Sequence, residues 1–169
     1  MFANRISRTL HDEHRATIAL MERLEAAISR RQPINIADPA GARLLADLAA
    51  AIEADTLRHF DFEETQLFTM FNSVGDQLIG DHLAEEHSFM RPLGEKLIAQ
   101  ARAAQADGFD ADSWREFSRS GAELVQRMVV HVQKEEMALL PLLDQTMDDA
   151  TETRLYEAYV QASQRTVAT

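Results

Sequence analysis

The chain has 169 residues, 46% of them hydrophobic, which fits one domain spanning 1–169 with a sizeable core and leaves little room for a second. Its formal charge of -11 excludes the lysine- and arginine-rich surfaces that grip nucleic acid or anionic membranes, so neither is expected as a partner. With no cysteine there is no disulfide, iron-sulfur cluster or thiolate zinc site; no apolar run suits a bilayer or a signal peptide, and a reduced cytoplasmic setting is expected.

Four long segments carry helical periodicity and none reads as a strand, so the expected class is all-α. Helix one is predicted from Asn4 or Ser7 to Arg30, ahead of Pro33. Helix two opens at Asp38-Pro39, an N-cap followed by a first-turn proline, and ends by Asn72. Helix three runs from about Asp76 to Gln105, stopped at Asp107-Gly108, with a kink expected at Pro92. Helix four starts at Asp112 or Ser113 and closes between Pro141 and Leu143. A shorter helix from about Thr151 to Ser163 has Leu155, Tyr156, Tyr159 and Val160 on one side, to pack on the bundle or against a second copy in a homodimer.

One arrangement of histidine and glutamate occurs twice. Glu13-His14 is followed 45 residues after His14 by His59, with Glu63 and Glu64 next; Glu86-His87 is followed after 44 by His131, with Glu135 and Glu136. The copies are offset by 73 residues in their first parts and 72 in their second, and Leu10, Leu20, Leu24 and Ile52 match Leu83, Leu93, Leu97 and Leu124. One unit cannot bury its apolar face alone. The expected architecture is therefore an antiparallel up-down-up-down four-helix bundle (about 7–143) with a short additional C-terminal helix, two hairpins closing around a pseudo-twofold axis.

The key histidines lie on the apolar stripes and not on the wet faces. Helix one reads Leu10, His14, Thr17, Met21, Leu24, Ile28 and helix two Leu48, Ile52, His59, Glu63, Gln66, Met70. Helix three reads Leu83, His87, Met90, Leu97, Ala101 and helix four Trp114, Phe117, Gly121, Leu124, Met128, His131, Glu135, Leu142. Glu follows His59, His82 and His131 by four residues, a spacing that projects imidazole and carboxylate from one helix face. In an up-down-up-down bundle His14, His59, Glu63, His87, His131 and Glu135 reach one depth, about 12 to 18 Å from one end. Facing buried glutamates need a cation, or else a metal-free polar network, to compensate them.

These motifs, Glu13-His14, His59-Phe-Asp-Phe-Glu63-Glu64, Glu86-His87 and His131-Val-Gln-Lys-Glu135-Glu136 followed by Leu140-Pro141-Leu142, resemble those of the hemerythrin-like (HHE cation-binding) family across about residues 7 to 143. The resemblance implies a non-haem di-iron centre, its two ions bridged by carboxylates and an oxo or hydroxo group. It implies His14, His59, His87 and His131 as terminal ligands and Glu63 and Glu135 as the bridges. Oxygen-carrying hemerythrins have a fifth histidine four residues before the third-helix ligand, where this chain has Leu83. Four histidines and two carboxylates resemble the bacterial iron-centre repair and nitric-oxide-response branch, whose cysteine-bearing amino-terminal domain has no counterpart here. His11 and His82 are each either an extra ligand or an outer-shell or surface histidine. Ferritin-like bundles use Glu-x-x-His and are the weaker analogy.

Imidazole and carboxylate suit iron, and equally manganese or zinc; the resemblance selects iron. Four protein donors per ion leave positions open for a small molecule, expected beside Met90, Met128, Phe62 and Leu67, an apolar setting for dioxygen or nitric oxide. No tyrosine lies in the four bundle helices, which argues against a tyrosyl-radical enzyme. No nucleophile with a base, phosphate loop or basic aromatic patch is present. Three functions stay open: binding or sensing of a diatomic ligand, iron handling or repair, and a redox enzyme of peroxidase or nitric-oxide-reductase type.

Overall fold

The computed structural model describes residues 2–70 and 77–167, and among these the chain is helical without a strand. Helix α1 spans Arg5–Ser29 and has no cap of its own, since the Asn4 side chain makes no capping bond. Acids from the far end of the chain take its free amides instead. Asp144 accepts from the N–H of Ala3 at 2.9 Å and of Asn4 at 2.8 Å, and Glu152 from the N–H of Arg5 at 2.9 Å. The helix stops just before Arg31, which adopts a left-handed φ of 56°.

Helix α2 occupies 39–70 and changes pitch along its length. Pro39–Ala51 is followed by a π turn, Ile52–Thr56, then Leu57–Phe62, then a second π turn, Glu63–Leu67, before the α-helix resumes. Asp38 accepts from the Ala40 N–H at 3.2 Å, with Pro39 in the first turn, as expected. The expected end at Asn72 and start at Asp76 fall outside the described residues. Helix α3 (Gln77–Asp107) continues unbroken through the exposed Pro92 and ends at Gly108, whose φ of 76° suits glycine.

Helix α4 occupies 111–146 as Ala111–Lys134, a π turn Glu135–Leu139, and Leu140–Thr146. It begins earlier than expected because the cap is Asp110, which accepts from the N–H groups of Ser113 and Asp112 at 2.7 and 3.0 Å, while Ser113 Oγ accepts from the Asp110 N–H at 3.0 Å. It also passes the expected stop, because Pro141 falls in the first turn of the α segment that resumes after the π turn, where a missing N–H costs least. Asp110→Ala should lower the urea midpoint at unchanged slope. Helix α5 (Asp149–Val167) packs on α1 and the Leu57–Phe62 part of α2.

Residue pairs set the directions. Glu13 and Arg23 of α1 meet Arg58 and Asp47 of α2; Glu53 and Glu64 of α2 meet Arg102 and Arg91 of α3. His82 and His87 of α3 meet Lys134 and His131 of α4, and Asn4 and His14 meet Asp144 and Glu136. In each pair rising numbers face falling ones, so neighbouring helices run in opposite directions.

The apolar interior forms two clusters. One, around Leu24, Leu45, Leu97 and Phe117, fills the α1–α2 and α3–α4 loop end; the other, around Ile6, Leu10, Leu139 and Leu143, includes Leu155 and Tyr159 of α5. The expected stripes shift between them. Beyond Glu63 the buried residues are Leu67 and Phe68 and not Gln66 or Met70, and beyond Glu135 they are Leu139, Leu140 and Leu143 while Leu142 is only partly buried. Each π turn inserts one residue and rotates the following helix by about one position.

Candidate metal centre

Between the two apolar clusters lies a polar layer. His14, His59, Glu63, His87, His131 and Glu135 are all buried, and Glu63, His87 and Glu135 have no exposed surface. The structure thus brings together all six residues singled out in the sequence. They form two groups of four, His14, His59, Glu63 and Glu135, and Glu63, His87, His131 and Glu135, each with donor atoms within 4.8 Å of one another.

The two carboxylates are shared. Nε2 of His14 and His59 lie 3.2 Å apart, and those of His87 and His131 2.9 Å. Glu63 places one oxygen 3.1 Å from His59 Nε2 and the other 3.5 Å from His87 Nε2; Glu135 places one 3.1 Å from His14 Nε2 and the other 3.0 Å from His131 Nε2. These contacts are close but not aligned as hydrogen bonds, so all four carboxylate oxygens are buried without a donor among the described residues. Such orphaned oxygens carry a penalty that a cation removes. Adjacent donors around an ion held by bonds of about 2.1 Å lie about 3.0 Å apart, the separation seen here, so the residues fit metal ions. Each shared glutamate follows its histidine by one regular α-helical turn, which projects the two side chains inward together, and a π turn opens at the glutamate.

A second layer holds the first. His14 Nδ1 bonds Glu136 at 2.7 Å, His59 Nδ1 bonds Glu13 at 2.8 Å, His87 Nδ1 bonds Glu64 at 2.9 Å and His131 Nδ1 bonds Glu86 at 2.9 Å. Every bond crosses to another helix. With Nδ1 engaged by a carboxylate, each ring is fixed with Nε2 facing the centre, the tautomer a metal requires. The sequence displays these four glutamates beside the ligands in each copy, but their partners belong to other helices and are not visible in spacing.

A third layer of side chains holds these glutamates. Arg58 donates to Glu13 at 2.8 Å, Arg91 to Glu64 at 3.0 Å, Lys134 contacts Glu86, and His11 bonds Glu136 at 2.9 Å. His11 therefore sits one layer out. His82 lies further out, exposed against Lys134 and Glu86. The fifth helix adds a group from outside the four bundle helices: the Tyr159 hydroxyl donates to Glu13, the carboxylate behind His59.

The protons follow the charges. For His14, burial opposes protonation but Glu135 and Glu136 outweigh it, and its pKa rises to about 9. His59 and His131 are raised against the same burial by Glu63 and Glu135 respectively. His87, stacked on Phe60 at 3.8 Å, is pushed down to about 2 by burial and by the charge of His131. Burial and the facing Glu135 push the Glu63 carboxyl up, whereas His131 and His14 overcome burial to hold Glu135 well below the usual range. Protons thus occupy the charge position of a cation.

Beside the centre is a cavity of about 10 Å³, lined by Thr17, Thr56, Phe60, Met128 and Val132 together with His14, His59, His131 and Glu135. Of the four residues expected near the open positions, Met128 lines it; Met90, Phe62 and Leu67 do not, because the cavity lies among α1, the Thr56–Phe60 stretch of α2 and the Met128–Glu135 stretch of α4. No helix among the described residues is long and apolar enough to cross a membrane. Comparison with curated proteins gives no match. Residues 5–143 match the family model of the hemerythrin HHE cation binding domain, and a buried histidine and glutamate cluster able to hold metal lies within them. The chain belongs to the hemerythrin HHE cation-binding domain family.

Proposed function

We propose that this is a cytoplasmic, single-domain, non-haem di-iron protein that binds or senses dioxygen or nitric oxide. The observation that carries the reading is the pair of buried donor groups sharing Glu63 and Glu135. His14 and His59 would hold one ion and His87 and His131 the other, with the two carboxylates common to both. Iron bound there supplies reversible electron donation to a diatomic ligand.

The chain's own residues prepare that chemistry. Glu13, Glu64, Glu86 and Glu136 orient the imidazoles and raise their basicity. Phe60, Met128 and Val132 keep bulk water from the cavity side. The test is the metal content of protein purified without added metal, with near-ultraviolet absorption recorded before and after anaerobic reduction. About two irons per chain and reduction-sensitive bands are expected. Zinc, or no metal in a well-folded chain, overturns the reading. Ready transfer of iron to an apo acceptor would instead mark iron handling, and turnover of peroxide or nitric oxide a redox enzyme.

Metal must displace the protons described above. Because the His14 pKa is raised from 6.5 to about 9, metal affinity should climb between those values, by about tenfold per pH unit for each proton released. In the metal-free protein the same shift has the opposite sign. A raised pKa favours the fold fully below pH 6.5, and that contribution is lost as pH rises through about 9. Thermal melts at the two ends of this range should therefore show the metal-free protein weakening and the loaded protein holding; parallel curves would refute the proton assignment.

A further inference from the structure

The offsets that superpose the two ligand sets, 73 and 72 residues, also place Thr17 opposite Met90, Thr56 opposite Met128 and Ala16 opposite Phe89. Short side chains in the first half thus stand where long ones stand in the second. The first half also has the π turn Ile52–Thr56, whereas the equivalent stretch of α4 lies within regular α-helix. Such a turn widens the helix where it ends, at Thr56.

Each half carries a groove along its helix seam. The α1–α2 groove, about 520 Å³, includes Glu13, Ala16, Thr17, Ala51 and Thr56. The α3–α4 groove, about 470 Å³, includes the equivalent Glu86, Met90 and Glu123. They differ in where they lead. Thr17 and Thr56 line both the first groove and the cavity beside His14 and His59, whereas the second groove ends on Met90, which is only 1% exposed, and shares no lining residue with that cavity. The α1–α2 pair is also the loosest of the four neighbouring pairs. Helix α5 covers its seam near Glu13 and Arg58, through Tyr159 and Ser163, and the groove reaches on along α1 to Leu20 and Arg23.

We propose that the α1–α2 seam, between Thr17 and Thr56, is the opening through which an uncharged diatomic molecule reaches the cavity beside His14 and His59, while Met90 stoppers the equivalent seam. This rests on the small-ligand reading above and adds the route. The cavity, at about 10 Å³, has room for one water-sized molecule, so a diatomic would have to reach past it towards the centre. Asp12, Glu13 and Asp47 line the groove; Arg58 pairs with Glu13 at 2.8 Å and Arg23 with Asp47 at 2.9 Å, so Asp12 supplies the net negative charge at the mouth.

The test transplants the second half's residues into the first. Thr17→Met combined with Thr56→Met should leave metal content and absorption unchanged while slowing nitric oxide association with the reduced protein by about tenfold or more; Met90→Thr should not slow it. Asp12→Lys should speed azide association and leave nitric oxide unaffected. An unchanged nitric oxide rate in the double variant overturns the route, and Thr17→Met alone serves if the double variant does not fold.

A second measurement needs no metal. Dissolved dioxygen under pressure should enhance nuclear relaxation at the Met128 methyl of the metal-free protein, and the double variant should lose most of that enhancement. Equal enhancement in both proteins overturns the route. If the wild-type chain holds no iron, the di-iron reading fails while this measurement still decides whether the seam admits a diatomic molecule.

Discussion

Glu135→Ala is expected to leave almost no bound metal, His59→Ala about one ion per chain, and His82→Ala the full complement. Glu135 belongs to both donor groups, so its removal takes an oxygen from each, whereas His59 belongs to one. His82 touches only Lys134 and Glu86 and is exposed. Outer carboxylates should fall between these extremes. Glu136→Ala frees the ring of His14 to turn, and loss of such a partner costs about 10- to 100-fold in metal affinity. Metal analysis on protein dialysed against a graded chelator would rank the variants; equal occupancy in Glu135→Ala, His59→Ala and His82→Ala would remove the ligand assignment.

Phe117→Ala should produce the largest loss of stability, about 3 to 5 kcal/mol, and yet spare the metal. Phe117 is fully buried in the cluster at the far end of the bundle, with ring contacts to Phe109 at 5.0 Å and Trp114 at 5.9 Å. It precedes His131 by fourteen residues on the same helix, about 21 Å along the axis. A cavity there weakens the scaffold without reaching the ligands. For a chain of this size the melting temperature should fall by about 10 °C. A variant that melts normally, or loses metal before it melts, would show that the two ends of the bundle are not separable in this way.

The helices and the six residues of the buried cluster were legible because they rest on local periodicity. Histidines on apolar stripes, at matching distances from helix ends, can converge in only one way once the helices alternate in direction. The outer layer was not legible for the opposite reason. Glu13 serves His59 and Glu136 serves His14, so each pairing depends on which helices are neighbours and how they are rotated. The π turns were hidden too, although a trace exists: after Glu63 the apolar residue is Leu67 where a regular stripe would bury Gln66. The role of Tyr159 escaped because its stripe shows that α5 packs, not what its hydroxyl reaches.

The acids that satisfy the first amides of α1 have a consequence for synthesis. Asp144 and Glu152 are separated from their partners by 140 residues or more, among the longest sequence separations available to this chain. Contacts of that range close late and slow the search for the native state. On the ribosome, α1 emerges before α4 and α5 but cannot have its leading turn completed until both have been made. The same holds for the ring of His14, which waits for Glu136. A nascent chain halted before α4 therefore has His14, His59, His87 and Glu63 but neither His131 nor Glu135, so neither four-donor group is complete until α4 has been made.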